Sequence, residues 1–187
     1  QAADGDYGTA GQSLVGFPSA TPTATKPESK LWFAQGSWWG AMASATTGGY
    51  SIFRLDRSIG TWVDTGVALD PRGATLADTL WNGTHLFVAS HAIATSSTAT
   101  STLEPARLFR YSWTGTTWAL DAGFPVQISA TSSESLVIAQ TDAGRIWATW
   151  TLNKRLYAAQ TSGSADAAVV AFNAAFIPSM ANLSATE

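Results

Sequence analysis

The sequence predicts an all-β fold built from repeated units of antiparallel strands. Three observations predict it. First, three stretches overlay: GSWWGAMAS (36–44), GTHLFVAS (83–90) and AGRIWATW (143–150), each a polar turn followed by an apolar strand. Each leads, after a loop of variable length, to a second strand: YSIFRLD (50–56), RLFRYSW (107–113) and RLYAAQT (155–161). Second, Phe53 and Phe109 stand 56 residues apart, as do Trp62 and Trp118. Third, the joints carry hairpin chemistry: Asn82-Gly83 and Asp142-Ala143-Gly144 fall between consecutive strands, where tight turns need such residues. A self-similar, multi-stranded unit of roughly 40–60 residues is the signature of a β-propeller blade.

Labelled A to D from the inside outwards, the strands of the first unit (30–66) are expected at 30–34, 38–44, 50–56 and 61–66. Those of the second (78–123) are expected at 78–81, 85–90, 107–113 and 117–123. The third (135–187) offers 135–140, 145–151 and 155–161. Phe53 and Leu55 alternate with Ile52 and Arg54, the period-two pattern of a strand with two distinct faces. HLFVAS is apolar on both faces, as in a strand packed between two sheets. Of the B–C loops, one carries Gly48-Gly49; the other, 92–106, is long, small and polar, the composition of a mobile or functional loop.

The ends depart from the pattern. Gly16-Phe17-Pro18 matches Gly123-Phe124-Pro125, so 8–16 reads as a lone D strand. Together with the proline-containing linker at 18–29 it forms an N-terminal segment (1–29). After Thr161 no D strand follows; VVAF (169–172) reads as an inner strand, and AAVVAFNAAF has helix-forming alanines as the alternative. Three units are fewer than the four blades of the smallest closed propellers. The sequence therefore predicts completion by another chain, by further sequence of a longer protein, or an open stack.

Composition narrows the function. Ten Lys+Arg against 13 Asp+Glu give a net charge of −3, without the basic surface that nucleic acid demands. Charged residues are only 12%, about half the usual share, so surface polarity falls to Thr, Ser, Asn, Gln and Gly. That surface suits an extracellular or surface-associated protein, and Gln1-Ala2-Ala3 fits the position after a signal-peptide cleavage. The absence of Cys removes disulfides, thiol catalysis and Cys-based zinc sites. No apolar run approaches the roughly 20 residues of a membrane-spanning helix. No His, Asp and Glu stand at zinc-ligand spacing, Asp4-Gly5-Asp6-Tyr7-Gly8 lacks the further acids of a calcium loop, and no cofactor is implied.

The D–A loops, 66–78 and 123–135, bring Asp70, Arg72, Asp78 and Glu134 to one end of the repeat, where His91 ends a B strand. Paired carboxylates about 5–10 Å apart would serve glycoside hydrolysis. The alternative is that the carboxylates make loop hydrogen bonds or a salt bridge with Arg72, and that His91 is a structural histidine. Trp38, Trp113 and Trp150 stand at strand ends, where aromatics stack on sugar rings, and Arg72 joins them as a binding residue. The nine Trp otherwise read as core.

The repeats resemble the Asp-box propellers best known from sialidases, whose box reads Ser/Thr-x-Asp-x-Gly-x-x-Trp/Phe. In YSWTGTTW (111–118), Gly115 and Trp118 match, but Trp113 replaces the Asp; in LDRSIGTW (55–62), Gly60 and Trp62 are one residue too close. QTDAGRIW (140–147) matches at Asp142, Gly144 and Trp147, with Gln140 for Ser/Thr, but in an A–B turn. Through SKLW…WW, ADTLW…GTHLFVASH and LDAGFPV, residues 28–160 also resemble secreted bacterial propellers. The resemblance implies the fold and little chemistry. A sialidase would need an arginine triad, yet Arg54 and Arg110 occupy equivalent C-strand positions, which makes them repeat architecture. The expected function is therefore non-catalytic binding of a glycan or protein partner. The alternatives are a glycoside hydrolase or lyase and a structural component assembling through its blade edges, as a homo-oligomer or with the remainder of a longer chain.

Overall fold

A computed structural model describes residues 28–72, 75–92 and 104–178. These contain twelve strands and no helix. The strand expected at 8–16, the calcium-like 4–8, nearly all of the 18–29 linker and most of the 92–106 loop lie outside the described residues.

The first sheet holds β1 (Leu31–Ala34), β2 (Ser37–Ala43), β3 (Tyr50–Asp56) and β4 (Thr61–Ala68) in chain order, all antiparallel. The second holds β5 (Thr75–Trp81), β6 (His85–Ala92), β7 (Arg107–Trp113) and β8 (Trp118–Leu120), with β9 (Val126–Gln127) also on β7. The third holds β10 (Ser135–Gln140), β11 (Ile146–Leu152) and β12 (Arg155–Gln160). Local chemistry explains the meanders. Gln35-Gly36 and Asn153-Lys154 are two-residue turns with both central residues at positive φ, matching the twist of the flanking strands. At Asn82-Gly83, Gly83 takes φ +96° while the Asn82 side chain accepts bonds from the backbone N–H of Thr84 and His85.

Two outer edges differ from the sequence reading. The D strand expected at 117–123 is broken: β8 pairs with Tyr111–Trp113, the chain turns at Asp121 and Gly123, and β9 resumes against Arg107 and Leu108. VVAF is neither an inner strand nor a helix. The chain after β12 doubles back, and isolated bridges Thr161–Phe172 and Ala158–Phe176 lay it along the outer edge of the third sheet, with Val169 exposed.

The sheets stack face to face around two cores. Trp32, Trp39 and Ile52 of the first sheet meet Leu86, Val88, Phe109, Tyr111 and Trp118 of the second. The second sheet's other face, with Phe87, Ala89 and Leu108, meets Leu136, Ile146, Ala148 and Trp150 of the third. The innermost strands adjoin, with β5 beside both β1 and β10. Trp62 and Trp118, equivalent in sequence, differ in burial: Trp118 is 2% exposed, whereas Trp62 is half-buried on the face turned away from the second sheet.

Candidate functional site

Asp78 and His91 have their polar atoms taken up by buried hydrogen bonds. Asp78, on β5, accepts from the backbone N–H of Ser29 at 2.5 Å and of Ile138 at 2.8 Å. One carboxylate thus ties the inner edges of all three sheets. Burial pushes its carboxyl up, against the pull of those two N–H bonds.

His91, at the end of β6, is fully buried. Its Nε2 lies 2.8 Å from Glu28 Oε1, and its Nδ1 lies 2.9 Å from Ser133 Oγ and 3.2 Å from the Ser133 carbonyl. Glu28 Oε2 accepts from Lys30 Nζ at 2.9 Å. Burial raises the Glu28 carboxyl, but the hydrogen bond from His91 and the Lys30 charge outweigh it and hold it below its ordinary value. Serine, histidine and glutamate are the residue types of a nucleophilic relay. Here Ser133 and His91 are wholly enclosed, so no substrate reaches the hydroxyl. Nearby, Tyr50 is pushed up to about 12 by burial and by the Glu28 charge, the opposite of an activated phenol.

Asp70 and Arg72 form a clamp. Arg72 reaches Asp70 Oδ2 through NH2 at 2.6 Å and the Pro105 carbonyl through NH1 at 2.8 Å, and Ser90 Oγ donates to Asp70 at 2.7 Å. This is the loop salt bridge weighed from the sequence. Glu134 is half-buried, its Oε1 enclosed and without a hydrogen-bond partner. Among the described residues no three His, Cys, Asp or Glu side chains converge as metal ligands.

At the far end of β6, His85 Nδ1 lies 2.7 Å from Asp166, which also accepts from Asn82 and Gln140. Burial opposes ionisation of Asp166, but these bonds prevail and lower its carboxyl. Arg110 is buried against Asp121 and the Ala165 and Ala167 carbonyls. Its repeat counterpart Arg54 is exposed.

The three tryptophans part company. Trp38 is 45% exposed, edge-on to Phe33 at 5.4 Å, beside a shallow groove of about 260 Å³ that also holds Asp56 and Arg57. Trp113 packs on Trp39 at 5.3 Å and Trp118 at 5.5 Å, with one edge on a groove of about 360 Å³ between the first and second sheets. Trp150 is nearly buried and stacks on Tyr157, centroids 5.8 Å apart and planes 14° apart. This pair floors the largest of these grooves, about 490 Å³, where the loop after β9 faces the chain that returns along the third sheet. Gln127, Thr131, Phe172 and Asn173 complete it, and no charged side chain lines it.

Sequence reasoning missed Glu28, placed in the linker, and Tyr157, Phe172 and Asn173. The period-two pattern pairs Trp150 with Tyr157 once the β11–β12 register is known, and that was the available signal. QTDAGRIW spans the end of β10, the β10–β11 turn and the start of β11, as expected. No protein-family model, curated protein or solved structure matches the chain.

Proposed function

We propose that the three sheets are blades of a β-propeller and that the protein is a non-catalytic module binding a neutral glycan in the groove floored by Trp150 and Tyr157. The observation that carries this is the lining. Trp150 fixes Tyr157 by stacking, so Tyr157 and Phe172 offer preset aromatic surface to the apolar face of a pyranose. Gln127, Asn173 and Thr131 supply amide and hydroxyl groups that both donate and accept, as sugar hydroxyls require. About 490 Å³ lies within the range of small-ligand sites. The hydrolase alternative needs two carboxylates flanking the scissile bond, and this groove has none, while Asp70 and Asp78 are committed to buried bonds. The low-charge, Thr- and Ser-rich composition supports an extracellular setting.

The test is calorimetric titration of the full chain with neutral oligosaccharides chosen from a glycan array. Tyr157→Ala is expected to weaken binding about tenfold, the worth of one aromatic contact, and Asn173→Ala to weaken it less, both with unchanged circular dichroism. Equal affinity of Tyr157→Ala and wild type, or no binding of any neutral glycan, refutes the site. Release of new reducing ends would instead establish the hydrolase.

A further inference from the structure

The repeat assigns each sheet face a fixed role. In the second sheet, Val88, Phe109 and Trp118 face the preceding sheet, while Phe87, Ala89 and Leu108 face the following one. The third sheet obeys the same rule: Ile146 and Ala148, counterparts of Leu86 and Val88, face the second sheet. The first sheet's counterparts of Val88, Phe109 and Trp118 are Met42, Phe53 and Trp62. They lie on the face directed away from the second sheet, where Phe53 is buried and Met42 and Trp62 are half-buried. That face has no preceding sheet among the described residues. It exposes Leu31 and Phe33 at 53% each and Trp38 at 45%. At the other end, the third sheet's face for a following sheet carries Val137, Trp147, Thr149 and Leu156 and no charged residue, with Leu156 and the adjoining Phe176 exposed at 47% and 43%.

We infer that two copies of this chain join head to tail, the outward face of each first sheet packing on the outward face of the partner's third sheet. Each free face is by repeat equivalence the complement of the other, because the same pair of faces already packs twice within the chain. The contact is heterologous, so it must close into a ring or run on as a filament. Closed propellers have about four to eight blades, and copies of a three-sheet chain enter that range only as a pair. Closure would cover both apolar faces at once. The inference rests on the propeller reading but not on the glycan groove, whose residues lie elsewhere; a monomer would leave the groove standing, and loss of glycan binding would leave the pair standing.

The experiment is sedimentation equilibrium on the full chain. Wild type is expected at twice the 19.6 kDa chain mass. Phe33→Glu, blocking the first-sheet face, and Thr149→Glu, blocking the third-sheet face, are each expected at single mass with unchanged circular dichroism. Mixed one to one, they are expected to regain double mass, since one unblocked face of each kind remains. Leu31→Glu, at an equally exposed position, and Leu156→Glu, at a more exposed one, serve if either first variant fails to fold. A single-mass wild type, a wild type heavier than two copies, or a mixture that stays single while wild type pairs would each overturn the inference.

Discussion

Trp118→Ala and Trp62→Ala should differ sharply, although the two residues are repeat equivalents. Trp118 is 2% exposed and meets four other indoles edge to face: Trp32 at 6.2 Å, Trp39 at 5.6 Å, Trp81 at 5.5 Å and Trp113 at 5.5 Å. Truncating a buried Trp costs about 3–5 kcal/mol, and a rigid ring of neighbours that cannot collapse into the void places this site toward the upper end. One term works the other way. The Trp118 Nε1–H is buried without a hydrogen-bond partner, a group that costs about 1–3 kcal/mol to bury. Trp118→Phe keeps an aromatic ring and removes that donor, so we expect it to lose less than about 2 kcal/mol. Trp62 is half-buried on the face turned away from the second sheet, and its truncation in the single chain should cost about 1–2 kcal/mol. The assay is urea unfolding followed by far-ultraviolet circular dichroism, on protein dilute enough to be single. Equal losses for both alanine variants would refute the argument that the neighbouring sheet, not the local sequence, sets the worth of this position. So would a loss below about 1 kcal/mol for Trp118→Ala, a value typical of partly exposed sites.

The other predictions concern the inner polar groups and the two proposals. His91→Ala leaves Glu28 Oε1 enclosed without its partner and should destabilise by about 3 kcal/mol in the same assay, with no effect on glycan affinity. Glu28 and Asp166 both have lowered carboxyls in the fold, so the stability they contribute is present above their ordinary values of 4.5 and 3.8 and is lost as pH falls through the lower folded values. Asp78 is raised, so its contribution has the opposite sign: present below 3.8 and lost as pH rises through its folded value. Unfolding midpoints across the acid range should therefore decline below about pH 4.5, and His91→Ala should flatten the decline; a steeper decline in that variant would contradict the role given to Glu28. Tyr157→Ala should weaken glycan binding about tenfold by calorimetry. The Phe33→Glu and Thr149→Glu chains should pair only with each other.

Much of the strand pattern was legible because its signals are local. Positive-φ turns favour Gly or Asn, and a strand facing two environments alternates, so Tyr50–Asp56 and Arg107–Trp113 could be bounded within the sequence. The broken D strand was not legible. TTWALDAG reads as continuous strand, but Asp121 is drawn onto Arg110, a contact made by the folded sheet. The candidate site was legible only in part. Trp150 was visible as a strand-end aromatic, yet its groove needs the returning segment at 172–175, placed by two isolated bridges that leave no periodic trace. Arg72 was visible as a salt-bridge partner for the loop carboxylates, and only Pro71 separates it from Asp70.

The sequence by itself determined an all-β chain of three repeated units, because turn residues and side-chain alternation act over a few bonds and need no partner from afar. Tertiary structure alone decided which apolar faces are covered, since Trp62 and Trp118 share their local context and, among the described residues, only Trp118 faces a neighbouring sheet. It alone decided the fate of the polar groups as well. Glu28, His91 and Ser133 meet across separations of 63 and 42 residues, and Asp78 meets Ser29 and Ile138 across 49 and 60. Burial is a property of the assembled sheets. It turns the same carboxylates and imidazole that would read as chemistry on an open surface into the fastening of the inner strands.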